Sequence, residues 1–254
     1  MDEAEPDGWS AVAVEWGRLW GRAARPAWDA VLQVVGPREG ARVLDVGCGS
    51  GDLLAHVGAL GLSTAGIDPA PGMVEEARRR APGGDVRRGV ADDLPWPDAT
   101  FDLVTAVNAL HLADDPDEAL AEAVRVTVPG GHVAVVGWAE AAHNDLDAIE
   151  AAVGRALDDE PAPDDPLQLP GGLESWLTRG GLAPVAHGLV EVPWTAPDDE
   201  SLVRGVLLGE DDATMAELAP TVVAAARAHR VAGGGYRLVN HFRYAVGRRD
   251  ERTG

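Results

Sequence analysis

With 254 residues, 46% of them apolar, the chain is long enough to bury a sizeable core, and a formal charge of -21 argues against nucleic acid or an anionic membrane as partner. The single cysteine, Cys48, excludes an intrachain disulfide and any multi-cysteine metal site, so no metal is expected. No basic-then-apolar leader and no apolar run of about 18 residues is present, which predicts a cytoplasmic location.

Residues 1 to 8 are acidic and polar and are expected to fray. Trp9, Val12, Trp16, Leu19 and Trp20 then follow helical spacing, and Pro26 restarts a second helix over 28–35. Four of the eight tryptophans fall in this region, which reads either as a helix docked on the core or as an aromatic lid over a ligand, with Trp16 and Trp20 as candidate substrate contacts. From residue 42 onward, strands predicted at 42–46, 63–67, 85–88, 101–107 and 132–138 alternate with helices at 52–60, 71–80 and 115–126. That rhythm predicts a mostly parallel sheet covered by helices on both faces, with ligands at the carboxyl ends of its strands. After Trp138 come a helix at 144–157, a Pro- and Asp-rich loop, a short helix at 173–179, and strand-like segments at 183–192 and 236–247 around a helical insertion at 199–230. No linker divides the chain, so one domain is expected over 1–254: an N-terminal helical cap at 1–35, a core at 36–138, and substrate-side insertions with terminal strands at 139–254.

The stretch VLDVGCGSGDLL places Gly47, Gly49 and Gly51 at a strand-to-helix turn. Such turns serve dinucleotides, whose pyrophosphate uses the helix start, and S-adenosylmethionine (SAM), which carries a sulfonium and no phosphate. Here the spacing is G-x-G-x-G followed by Asp52, a carboxylate where a pyrophosphate would approach, and this favours the cation. Cys48 reads as a small side chain packed under a ligand or as a reactive thiol. Asp68, at the end of the second predicted strand, suits a ribose diol, the alternative being an N-cap for the next helix. Met73 suits the face of a purine or the helix core.

Four segments occur in family order over about 42–138: VLDVGCGSG, GIDPAPGM, ADDLPWPDATFDLV and the R-V-x-x-P-G-G turn before the fifth strand. With them the sequence resembles class I SAM-dependent methyltransferases, in the branch similar to ubiquinone/menaquinone C-methyltransferases and small-molecule methyltransferases of biosynthetic pathways. The resemblance implies a Rossmann-like α/β fold with a seven-stranded, mostly parallel sheet and a helical lid. It implies SAM as cofactor, S-adenosylhomocysteine as product and a small-molecule acceptor; a homodimer stays open. Carried over residue by residue, Gly47 and Gly49, with Cys48 and Gly51 in the same turn, lie against the methionine part. Asp45 organises the loop, Asp68 takes the ribose, and Pro69 and Met73 flank the adenine. Many members place an aspartate where this chain has Val90, so Ala91 N–H and Asp92 are the adenine contacts left. Asn108 takes the place of the residue whose backbone lies near the methionine amino group.

The run Asn108-Ala109-Leu110-His111 departs from the Asn/Asp-Pro-Pro-Tyr pattern of enzymes that methylate a flipped base. His111 and His143 follow strand ends on the ligand-facing side and are the candidate general bases, with His241 behind them, although each can equally be an exposed or packed histidine. Gly233, Gly234 and Gly235 suggest a hinge that swings Tyr236 and Arg237 over the pocket, the alternative being a strand that only completes the sheet. A SAM-binding protein that does not methylate, such as a cyclase, decarboxylase or sensor, is the competing reading.

Overall fold

The computed structural model describes residues 6–251. Two helices, α1 (Pro6–Leu19) and α2 (Arg25–Val35), precede the sheet. The expected fraying of residues 1 to 8 lies outside the described residues up to position 5, and Pro6, Asp7 and Gly8 form the first turn of α1. Pro26 stands in the first turn of α2, and Gly36 closes it with a left-handed φ of 56° and an N–H bonded to Leu32 O.

The alternation then unfolds as β1 (Arg42–Val46), α3 (Asp52–Ala59), β2 (Ser63–Asp68), α4 (Pro71–Arg80), β3 (Asp85–Arg88), β4 (Phe101–Val107), α5 (Pro116–Val126) and β5 (Thr127–Trp138). After it come α6 (Asp145–Ala156), α7 (Gly172–Arg179), β6 (Ala183–Ala196), α8 (Asp199–Val206), α9 (Asp212–Ala225) and β7 (Tyr236–Arg248). Among the described residues these strands form a seven-stranded sheet of order β3-β2-β1-β4-β5-β7-β6. β1 to β5 pair in parallel, and β7 runs antiparallel to both β5 and β6. The strand order reverses between β1 and β4, which opens a crevice at their carboxyl ends where doubly wound sheets bind ligands.

Two strands run longer than expected by more than one residue. β5 begins at Thr127, which pairs with Phe101 before the register jumps to Leu103 opposite His132. The Pro-Gly-Gly turn fills that irregularity. β6 continues to Ala196 because its ladder with β7 runs on to Ala196 opposite Tyr236, past Trp138, where β5 ends opposite Phe242. This overhang carries a separate apolar cluster.

One sheet face packs Leu44, Val104 and Val133 against Leu120, Trp176 and Leu177 of α5 and α7. The other packs Val43, Leu103 and Phe242 against Trp28 and Val57 of α2 and α3. The third cluster joins Trp20, Ile149, Trp194, Leu202, Val222, Tyr236 and Leu238, and so fastens the end of α1 to α6, α8, α9 and the β6–β7 overhang. A lid therefore has its own core, at the edge of the sheet where the ligand crevice opens.

Candidate active site

The crevice is built from the turn after β1. Gly47, Gly49 and Gly51 all have positive φ, at 69°, 50° and 81°. A Cβ on Gly47 would collide with that of Ala109, and one on Gly51 would lie 2.6 Å from Ala77 Cα, so the first glycine admits the end of β4 and the third lets α3 meet α4. The N–H groups of Gly47 and Cys48 both donate to Ile67 O at 2.9 Å, which ties the turn to β2. Cys48 packs into a cluster with Leu54, Val74 and Ala77. Burial and the neighbouring carboxyls of Asp45 and Asp68 raise its thiol well above its ordinary value, the opposite of what a nucleophilic thiol needs.

Asp68 is 8% exposed and accepts one backbone N–H on each oxygen, Gly49 on Oδ2 and Ala70 on Oδ1, both at 2.9 Å. It is not the N-cap of α4; that position is Ala70, without a side-chain cap. Burial raises its pKa, with the Ala70 and Gly49 N–H groups opposing. Asp45, deeper in β1, takes a 2.9 Å bond from Thr105 Oγ1. Burial pushes its pKa up to about 8 against that bond, and Asp68 adds to the rise. Asn108 has a positive φ of 51°, and its Oδ1 is buried without a hydrogen-bond partner. An open Gly49, a doubly anchored carboxylate and an orphaned acceptor oxygen together fit a ligand that brings a ribose diol and an ammonium group.

Asp52 does not face this crevice. Its carboxylate pairs with Arg80 of α4 and accepts from Ser50 Oγ at 2.7 Å, beneath α1. A Cβ on Gly17 would lie 2.7 Å from the Arg80 guanidinium, and one on Gly21 would collide with Asp52, so two glycines four residues apart let α1 rest on the ion pair. The charge argument drawn from Asp52 against a pyrophosphate therefore falls; the orphaned Asn108 oxygen and the doubly anchored Asp68 take its place.

α1 lies along the crevice. Ser10 Oγ accepts the Gly72 N–H at 3.2 Å, and Ala13 buries Met73 and Ala70, with Trp9 and Trp16 against them. A Cβ on Gly49 would stand 3.8 Å from Trp16 Nε1, which puts that indole over the glycine turn. Pro69 offers its carbonyl to Arg88 Nε at 3.1 Å. Beyond β3, Val90 is 46% exposed, Ala91 packs partly against the core, and Asp92 is half-buried.

Trp20 is locked into the lid: its Nε1 donates to Gly205 O at 3.1 Å, and it stacks on Trp194 at 4.5 Å with an 8° interplanar angle. Trp194 Nε1 in turn donates to Leu19 O at 2.8 Å. Trp138 meets Trp20 and Phe242 edge to face. His111 is exposed in a single 3-10 turn after β4. His143, also exposed, has its ring 5.4 Å from that of His241, whose Nδ1 lies 2.8 Å from His143 O.

Tyr236 and Arg237 do not swing over the pocket. The strand alternation of β7 sends Tyr236 into the lid core, where its OH donates to Asp199 at 2.6 Å, and sends Arg237 outward to Glu191 at 2.8 Å. Gly235 is pressed against the carbonyls of Ala196 and Pro197, so the triple glycine makes a tight turn rather than a hinge. Sequence reasoning missed Thr105, which bonds Asp45, and Trp138 and Trp194, which pack on Trp20.

The family described as a methyltransferase domain matches residues 44–135. A demethylmenaquinone methyltransferase of Beutenbergia cavernae is 31% identical over 198 residues, which cover 75% of this chain and 78% of that protein. Another, from Renibacterium salmoninarum, is 40% identical over 105 residues; that match takes in 41% of this chain and less than half, 44%, of the relative. In three dimensions the 4+2 cyclase SpnF aligns with a TM-score of 0.60 at 21% identity, over 91% of this chain and 83% of that one, a likeness of fold alone. The chain belongs to the class I SAM-dependent methyltransferases, in their quinone C-methyltransferase-like branch.

Proposed function

We propose that the protein transfers the methyl group of SAM to a small, apolar, ring-bearing metabolite in a biosynthetic route. The observation that carries this reading is the doubly anchored carboxylate of Asp68 beside a glycine turn that an indole-bearing helix covers. Each Asp68 oxygen keeps lone pairs for one ribose hydroxyl. Gly49 admits the methionine part without a Cβ in the way, and the orphaned Asn108 oxygen accepts from its ammonium group. When bound, the sulfonium supplies an already activated methyl group. The chain's task is then to align a nucleophile and exclude water, and alignment contributes about 7 to 11 kcal/mol to such reactions.

α1 performs the exclusion, with Trp16 over the glycine turn and Trp20 fixed in the lid. His111 and His143 are the bases at hand when the acceptor's proton has to leave. The charge of -21 disfavours a nucleic-acid acceptor, and among the described residues no helix is long and apolar enough to cross a membrane. Acceptor-dependent, stoichiometric release of S-adenosylhomocysteine across a panel of phenols, naphthols and amines tests the reading; its absence in a chain that binds SAM refutes methyl transfer to that class. The fold likeness to a 4+2 cyclase favours one second reading, a non-methylating use of the same cofactor, and product formation without S-adenosylhomocysteine release would select it.

A further inference from the structure

Four indole nitrogens are committed within the fold: Trp20 and Trp194 donate to Gly205 O and Leu19 O, Trp96 to Asp85 and Trp176 to Asp117. That of Trp28 is unpartnered but sealed in the apolar packing of α2 on the sheet. Trp16 differs from all of these. Its ring is held from two sides, by Trp9 edge-on at 5.1 Å and by Trp20 stacked at 6.3 Å, and it rests against Ala13, Ala70 and Met73. Its Nε1 has no hydrogen-bond partner among the described residues. A Cβ on Gly49 would find this nitrogen at 3.8 Å and, outside the neighbouring residues of the turn, no other heavy atom within 4 Å. The space over Gly49 is therefore open, and one of its walls carries a fixed, unused donor.

An indole N–H can only donate, so the group that meets it must accept. In the reading above, the oxygens of Asp68 answer the ribose diol and the Asn108 oxygen answers the ammonium. The α-carboxylate, the one anionic group of the cofactor, shares a carbon with that ammonium and so enters the glycine turn with it. Asp68 offers it only repulsion, and Arg80, which reaches Ser50 O in the turn, is already paired with Asp52. We propose that Trp16 Nε1 donates to the α-carboxylate of the bound cofactor, which makes Trp16 a cofactor contact rather than an acceptor contact. The inference rests on the SAM reading for the identity of the ligand. Its consequence is separate: α1 reads the amino-acid end of the cofactor as well as covering it, and the site rejects the decarboxylated amine, because the donor is then left unpaired.

The test uses binding rather than turnover. Calorimetry on the full chain compares S-adenosylhomocysteine with S-adenosyl-3-thiopropylamine, which keeps the adenine, ribose, thioether and ammonium and lacks only the carboxylate. Wild type is expected to prefer S-adenosylhomocysteine by about tenfold or more. Trp16→Phe keeps an aromatic ring and removes the N–H; it is expected to weaken S-adenosylhomocysteine by about ten- to a hundredfold and to leave the amine within about twofold. Trp16→Leu, still apolar beside Met73, serves if phenylalanine does not pack. Since the two probes share every other contact, their ratio cancels any general loosening of α1. Equal binding of both probes to wild type, equal weakening of both in the variant, or a preference that survives in the variant overturns the proposal and leaves the indole as packing alone. Failure of S-adenosylhomocysteine to bind wild type would instead refute the cofactor reading itself.

Discussion

The two sides of the crevice are built on opposite plans. The cofactor side is backbone and carboxylate: three left-handed glycines, two N–H groups on Asp68 and a hydroxyl on Asp45, all within one turn of three neighbouring strands. The lid side is indole: Trp16 and Trp20 at the end of α1, Trp138 of β5 and Trp194 of β6 come from three places in the chain and meet through ring faces and edges. The first plan is set by local geometry that short motifs encode. The second is set by contacts between segments far apart in the chain.

Breaking each plan should give different signatures. Trp20→Ala removes a stacked, buried indole and is expected to lower unfolding free energy by about 3 to 5 kcal/mol in denaturant titration. A loss below about 1 kcal/mol would mean that the lid core does not depend on it. Asp45 should show itself through pH. Its folded pKa is raised, so between the unfolded value of 3.8 and about 8 the folded chain holds a proton that the unfolded chain has released, and stability falls as pH rises across that window. Asp45→Asn should remove a slope of up to about 1.4 kcal/mol per pH unit, read from melts at several pH values.

Asp68→Ala is expected to weaken S-adenosylhomocysteine binding by about 1.5 to 3 kcal/mol in calorimetry, roughly ten- to a hundredfold, through loss of charge-assisted bonds to the ribose. Wild-type affinity in that variant would remove the ribose assignment. Tyr236→Phe should cost about 0.5 to 1.5 kcal/mol of stability by breaking the Asp199 bond, with methyl transfer untouched. The smallest effect is expected of Arg237→Ala, within about 0.5 kcal/mol, because its partner Glu191 is exposed. A turnover defect in either of the last two would return them to the acceptor site.

The cofactor half was legible because its information is short-range. Val43, Leu44 and Val46 read as a buried strand, and the glycines that follow have their φ values imposed within five residues. Asp68 needed only its place at a strand end. The lid half was legible as elements and not as an arrangement. The tryptophan spacing of α1 shows a helix, but nothing local shows that Gly17 and Gly21 rest on an ion pair whose arginine comes some sixty residues later. Asp52 was misplaced for the same reason: a carboxylate next to a glycine turn looks ligand-facing until its partner on α4 is known. Tyr236 and Arg237 were misread because a triple glycine suggests freedom, whereas the carbonyls packed against Gly235 remove it.

The crossed pair of indole bonds at the lid also bears on how the chain is made. Trp20 reaches Gly205, 185 residues ahead, and Trp194 reaches back 175 residues to Leu19. α4 seats the body of α1, through Ser10 on Gly72 and Ala13 on Met73, whereas the residues at its end dock only once β6 and α8 have followed. At about 5 to 20 residues per second, that leaves Trp20 without its partners for roughly ten to forty seconds. A ribosome-bound chain stopped before β6 should therefore protect the first turns of α1 against α4 while the segment around Trp20 stays open to protease.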